Sequence, residues 1–246
     1  MRFFIEISYK GTNFHGWQEQ PNVSTIQAEL NNALSTILNY EIQIVGAGRT
    51  DAGVHAKQMF AHFDLDSSFE MKDLLFKINN FLSNDIVVND IFEVQSDANS
   101  RFDAISRTYQ YNIISRKNPF NEMAYLFKKE LDITAMNAAC KYILGKQDFT
   151  SFSKVNTQTF TNNCNVMHAN WQKKDSQLIF NITSDRFLRN IVRSIVGTMI
   201  EVGLGKILPS QIISIIGAKD RCMAGFSVPA HGLFLMEINY PENIRK

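Results

Sequence analysis

Cysteine is scarce in this chain. Cys140, Cys164 and Cys222 are odd in number and scattered over 246 residues, with no CxxC pair and no histidine cluster beside them. That excludes a disulfide framework and a zinc site, and it fits a reducing cytoplasm with three buried, inert thiols. Long apolar runs are missing as well. A bilayer span takes roughly 20 apolar residues, whereas the longest candidate, Phe187 to Leu204, is broken by Arg189, Arg193 and Glu201. The opening MRFFIEISYKG lacks an apolar h-region and a small-residue cleavage site, so no secretory signal is expected. No Gly-Lys-Ser/Thr sequence occurs and no GxGxxG opens a helix, which removes the common phosphate cradles. Low-complexity tracts and long linkers are also lacking.

What is present reads as globular: 45% hydrophobic and 20% charged residues, in a length that allows one large domain or two ordinary ones. The formal net charge of +1 conceals an asymmetry. Residues 1–104 hold 7 Lys+Arg against 14 Asp+Glu, a balance of −7, and the remainder holds 18 against 10, a balance of +8. A basic half can bind phosphates whatever the average. The alternative is that the two halves simply attract each other.

Phe3, Ile5, Ile7 and Tyr9 alternate as a strand does. After a polar loop, Ser24 and Gln27 form a capping box for a helix with Ile26, Leu30, Ala33, Leu34 and Ile37 on one face. A short strand over Ile42–Val45, a strand through Phe60 and Phe63, a helix over Asp73–Leu82 and a strand over Ile86–Val94 follow. This order, β-α-β-loop-β-α-β, is the split βαβ pattern. The second half repeats it: a strand with Tyr109, Tyr111 and Ile113, then a helix over Asp132–Leu144 closed by Gly145. Paired strands at Val166–Trp171 and Leu178–Thr183, helices over Phe187–Val202 and Ser210–Ile216, and a strand over Phe234–Tyr240 complete it. The expected fold is α+β, as two ferredoxin-like (RRM-like) units with mainly antiparallel sheets side by side around a central cleft. The expected division is 1–104, carrying the loop described next, and 105–246, the basic unit.

The stretch GAGRTDAGVHA, Gly46 to Ala56, sets one Asp beside one Arg among glycines and alanines, between two predicted strands. Such residues let the backbone turn sharply and let a flat ligand approach the carboxylate of Asp51. On local chemistry alone, an ordered hairpin loop with Arg49 and Asp51 paired for structure is an equal reading.

GRTDAGVHA resembles the catalytic motif of the tRNA pseudouridine synthase A family, in which the Asp is the essential catalytic residue. SYKGTNFHGWQEQPNVSTIQAEL resembles that family's opening block and RFDAISRTYQY its second; GKQDFTSF, FLRNIVRSIVGTMIEVG and HGLFL follow in the family's order. The likeness runs from Phe3 to about Tyr240, and Ser83 departs from it where a proline is usual, in a turn away from the chemistry. It implies a cofactor-free, metal-free isomerase. The enzyme would act on tRNA uridines 38, 39 and 40 of the anticodon stem-loop, in the cytoplasm and as a homodimer.

The resemblance also implies roles. Asp51 would be the catalytic carboxylate, and an unperturbed aspartate, with a pKa of about 3.9, is ionised at neutral pH. It would act as a base at ribose C2′ or as a nucleophile at C1′ or uracil C6, routes that the sequence does not separate. Closing the site round a carboxylate raises its pKa, and a guanidinium opposes that rise, a part given to Arg193. The alternative for Arg193 is a solvated helix cation. Arg189, one turn earlier on the expected helix, would meet RNA phosphate or the surroundings of Asp51, while Leu188, Ile191, Val192, Ile195 and Met199 on the other face would be core. Tyr109 would stack on the uracil and Tyr111 would be the buried aromatic. Arg49 would fill the gap left by the extruded nucleotide or hold a phosphate, Leu233 would close the pocket with an apolar side chain, and His55 would brace the loop. A non-catalytic RNA-binding protein or RNA chaperone is the competing class. A glycosidase or nucleosidase would require a second carboxylate near the first, and Glu41 and Asp64 lie outside the loop.

Overall fold

The structure is a computed structural model that describes residues 1–66, 69–155 and 160–246. Its elements, in chain order, begin with strand β1 (Arg2–Tyr9), helix α1 (Ile26–Leu38), β2 (Val45–Gly46), β3 (His55–Asp64), α2 (Met71–Phe81) and β4 (Ile86–Val94). They continue with β5 (Ser106–Ile114), β6 (Tyr125–Leu126), α3 (Ile133–Cys140), β7 (Gly145–Asp148), β8 (Asn163–Lys174) and β9 (Gln177–Ser184). Helices α4 (Ile191–Gly203) and α5 (Gln211–Ala218) and strand β10 (Leu233–Asn239) close the chain. Two compact units result, Met1–Ile105 with Phe234–Lys246 and Ser106–Leu233. Segment 234–246, assigned with the second half on sequence, belongs to the first, because Phe234 and Leu235 of β10 pair in parallel with His55 and Ala56 of β3. That pairing joins residues far apart in the chain, which no local pattern records.

In the first unit the strands lie in the order β4-β1-β3, with β2 on the far side of β3 from β1 and β10 beside β3 at its start. The order 4-1-3-2 is the split βαβ arrangement expected from the periodicity. β1 pairs antiparallel with both β3 and β4, and Phe4, Ile5, Ile7, Met59, Ala61 and Phe63 are sealed from solvent. Burying each large apolar side chain contributes about 1.5–3 kcal/mol. α1 buries Ile26, Leu30, Ala33 and Leu34, as its stripe predicts, with Ile37 half-buried. Its cap differs from the expected box: Thr25, one residue after Ser24, accepts the Ala28 N–H, and Ser24 donates to Glu29 Oε1 at 2.9 Å.

In the second unit β9 lies between β5 and β8, as β3 lies between β1 and β2, with β7 and β6 added at the two sides. β5–β9, β9–β8 and β8–β7 are antiparallel, and β5–β6 is parallel. Asp132, expected as the first helical residue, instead caps α3 through the Ala135 N–H, and the α-helix ends at Cys140 and tightens into a 3-10 turn over Lys141–Ile143. α4 begins at Ile191, four residues after the expected start. Asn190 takes the left-handed conformation, φ 69°, which asparagine tolerates better than most residues and which a continuing helix does not allow. Arg189 therefore lies ahead of the helix rather than one turn down its face. Leu188, Ile191, Val192, Ile195 and Met199 are all buried, as expected.

The expectation of three buried thiols holds for two. Burial pushes Cys140 and Cys164 up to about 12, whereas Cys222 sits exposed in the short 3-10 turn Arg221–Met223.

Candidate active site

Asp51 lies in the loop from β2 to β3, half-buried, at the first position of a tight turn closed by the Val54 N–H on the Asp51 carbonyl at 3.1 Å. The third position of that turn is Gly53 at φ 78°, where an L side chain would be strained. This accounts for the glycine after DA. Thr50 is buried and shares a 2.8 Å hydrogen bond with the Tyr9 hydroxyl, so its neighbours are turned the other way: Arg49 exposed, Asp51 half-buried.

A second loop, residues 10–18, holds this one in place. The Trp17 N–H donates to the Thr50 carbonyl at 3.1 Å, and the Gly53 N–H donates to the Phe14 carbonyl at 3.3 Å. The Gly11 N–H donates to His55 Nδ1 at 3.0 Å. His55 is buried, so this nitrogen is an acceptor and the neutral ring carries its hydrogen on Nε2. The loop-bracing part expected of His55 is what the geometry gives it. Gly11 also runs so close to the turn that a Cβ there would stand 2.0 Å from the Val54 carbonyl oxygen. α1 anchors the second loop in turn. Gln27 accepts from Gln18 Nε2 at 2.7 Å and the Glu19 N–H at 3.0 Å, and donates to the Ile44 carbonyl at 2.8 Å. Gln27 is thus a loop anchor and not half of a capping box. The bracing by Thr50, Gly11 and Gln27 escaped the sequence reading; the glycines of YKGTNFHGW were its only local trace.

The remaining candidates lie in the second unit. Tyr109 stands on β5 opposite Ile182 of β9, half-buried, its ring edge-on to Phe187 with centroids 5.1 Å apart. Tyr111, two residues on, is fully sealed and donates its hydroxyl to the Pro229 carbonyl at 2.8 Å. Burial drives its pKa upward, and the nearby charge of Arg193 opposes part of that rise. The two tyrosines differ in burial: Tyr109 is half-buried, and Tyr111 is core, as expected of it.

Arg193, in the first turn of α4, is half-buried. Its Nε donates to the Val228 carbonyl at 2.7 Å, and the Val228 N–H returns a bond to the Arg193 carbonyl at 3.2 Å. It is therefore held in place rather than freely solvated. Leu233 is buried at the head of β10. Arg189 is exposed, and its carbonyl accepts the Lys154 N–H at 3.0 Å. Among the described residues no cluster of three or more His, Cys, Asp or Glu is placed to hold a metal ion, and no helix is long and apolar enough to cross a membrane.

A family profile described as tRNA pseudouridine synthase matches residues 6–103 and 139–241, which contain the braced Asp51 turn, Arg193 and Leu233. The chain belongs to that family. Proteins named tRNA pseudouridine synthase A are similar to it over nearly its whole length. One from Parabacteroides distasonis is 49% identical over 99% of this chain and 97% of its own. One from Bacteroides thetaiotaomicron is 47% identical over 99% and 92%. One from Francisella tularensis subsp. novicida is 38% identical over 98% and 94%. Pseudouridine synthases are isomerases, and in this chain the GRTDAGVHA segment forms a turn anchored by the 10–18 loop and by Tyr9.

Proposed function

We propose that this synthase converts uridine to pseudouridine at positions 38, 39 and 40 of the tRNA anticodon stem-loop, in the cytoplasm, as a homodimer and without a cofactor. The reaction breaks the bond from uracil N1 to ribose C1′, turns the base and rejoins it through C5. No atom is lost, so no redox equivalent or phosphate is consumed.

Asp51 is assigned as the carboxylate that engages the nucleotide. Taking a proton from C2′, attacking C1′ and attacking uracil C6 share one requirement, an ionised side chain held still against the base. The braced turn supports this assignment: the 10–18 loop, Tyr9 and His55 hold the backbone at the residue that must not move. Tyr109 is assigned to stack on the flipped uracil, which its half-buried position allows and that of the sealed Tyr111 does not. Arg193 is assigned as the guanidinium that keeps the carboxylate charged, Arg49 as the cation for the vacated stack or a phosphate, and Leu233 as an apolar pocket wall.

Asp51→Ala tests the reading. Pseudouridine formation is expected to vanish while the Kd for tRNA changes by less than about threefold, since a carboxylate adds nothing to binding a polyanion. Residual turnover by purified variant refutes the catalytic assignment. Mapping pseudouridine in tRNA from cells lacking the protein tests the substrate, because unchanged modification at all three positions removes it.

A further inference from the structure

The strand register of the second unit gathers three basic segments at one end of its sheet. Leu126 of β6 pairs with Ile114 of β5, Ile114 with Gln177 of β9, and Gln177 with Lys174 of β8. β5 and β6 are parallel, so the chain leaves both at this end, into Arg116-Lys117 and into Lys128-Lys129. β8 finishes here too, in Lys173-Lys174. Four strands spaced about 4.8 Å apart make a row about 14 Å wide. All six cations are exposed, and none is in an ion pair among the described residues. The acids on the adjoining segments are Glu122, Glu130, Asp132 and Asp175, of which Asp132 is committed to capping α3. Phe120, in the loop between β5 and β6, is 92% exposed, an aromatic ring available for stacking beside the cations.

We infer that this row is a second RNA contact, which grips tRNA backbone phosphates away from the target nucleotide. The inference rests on the tRNA reading above. Ile114 lies five residues beyond Tyr109 on β5, about 17 Å at the usual rise per strand residue. In duplex terms that is roughly five base-pair steps at 3.4 Å each. The row therefore meets the stem or the nucleotides beyond it, where contacts fix register and orientation and carry no base information. Its unit holds 16 Lys+Arg against 8 Asp+Glu, so the surrounding field also draws RNA toward it.

Two matched triples of exposed lysines test this. Lys128→Gln, Lys129→Gln and Lys174→Gln neutralise the row; Lys141→Gln, Lys146→Gln and Lys206→Gln remove three charges elsewhere in the same unit. Binding of an unmodified tRNA transcript is measured between 50 and 200 mM salt, with circular dichroism to check folding. The row triple is expected to weaken binding about tenfold or more at 100 mM salt. Its log–log salt slope is expected to flatten by about 2, given roughly 0.7–0.9 per lost phosphate contact. The matched triple is expected to shift Kd less than about twofold. Equal loss in both triples, an unchanged slope in the row triple, or wild-type binding to phosphatidylglycerol vesicles as tight as to tRNA overturns the inference. Wild-type pseudouridine formation is scored on the same tRNA. An inactive wild type that does not bind tRNA removes the functional reading and this inference together. An active wild type beside an unaffected row triple removes this inference alone.

Discussion

Gly11 and Gly48 serve the same loop, yet the structure makes opposite demands on them. A Cβ at Gly48 meets nothing within 4 Å, whereas at Gly11 it meets the Val54 carbonyl oxygen at 2.0 Å. Backbone on backbone cannot yield as a flexible side chain does, so Gly11→Ala must push the 51–54 turn out of place. We expect it to lower stability by roughly 1–3 kcal/mol, in the range of overpacked sites, and to reduce kcat through the displaced Asp51. Gly48→Ala should be near neutral in urea melts. Equal behaviour of the two variants counts against the bracing account. Arg49, Thr50 and Asp51 show how far a single motif speaks: their alternation predicts that 49 and 51 face one way, and the buried Thr50 agrees. The partner of Thr50, Tyr9, lies 41 residues away and had no mark in the motif.

Among the elements, α4 shows where periodicity stops being informative. Phe187 and Leu188 continue an apolar pattern, and pattern alone extends the helix over them. The left-handed Asn190, which donates through Nδ2 to Ser227 Oγ at 2.7 Å, ends it instead. Asn190→Ala loses that bond and keeps the strained backbone, at a cost of about 1–2 kcal/mol. Asn190→Gly loses the bond alone, so its urea midpoint should lie above that of the alanine variant. A reversed order contradicts the left-handed cap. The cap of α1 carries the same lesson. Ser24 and Thr25 are both good caps by chemistry, and tertiary contacts chose between them by committing Gln27 to Gln18, Glu19 and Ile44.

Over the whole molecule, charge and protonation differ between the units. The first holds 9 Lys+Arg against 16 Asp+Glu and the second 16 against 8, so the asymmetry of the sequence halves survives the transfer of 234–246. In the first unit burial lowers the pKa of His62 below its ordinary 6.5, helped by the charge of Arg2. The Arg2 hydrogen bond lowers Asp64 below 3.8. Both shifts have the same sign for stability: below each unfolded value the unfolded chain takes up more protons than the folded one. The His62 contribution is present above about pH 6.5 and is lost as pH falls through its lower folded value. That of Asp64 is lost further down, below about 3.8. The melting temperature should therefore hold level above about 6.5 and decline on acidification. In His62→Gln the upper part of that decline should flatten, and an unchanged slope there would refute the assignment.

The sequence by itself determined the element types, the split βαβ order of the first unit, the core face of α4 and the loop that carries Asp51. These follow from local periodicity, turn chemistry and an uninterrupted motif, all of which act between near neighbours. Only the tertiary structure decided that β10 returns to β3, that Thr50 hangs on Tyr9 and Gln27 on Ile44, and that three separated basic segments end in one row. Those depend on pairings between residues distant in the chain, where hydrogen-bond satisfaction and close packing choose among partners that look alike in one dimension.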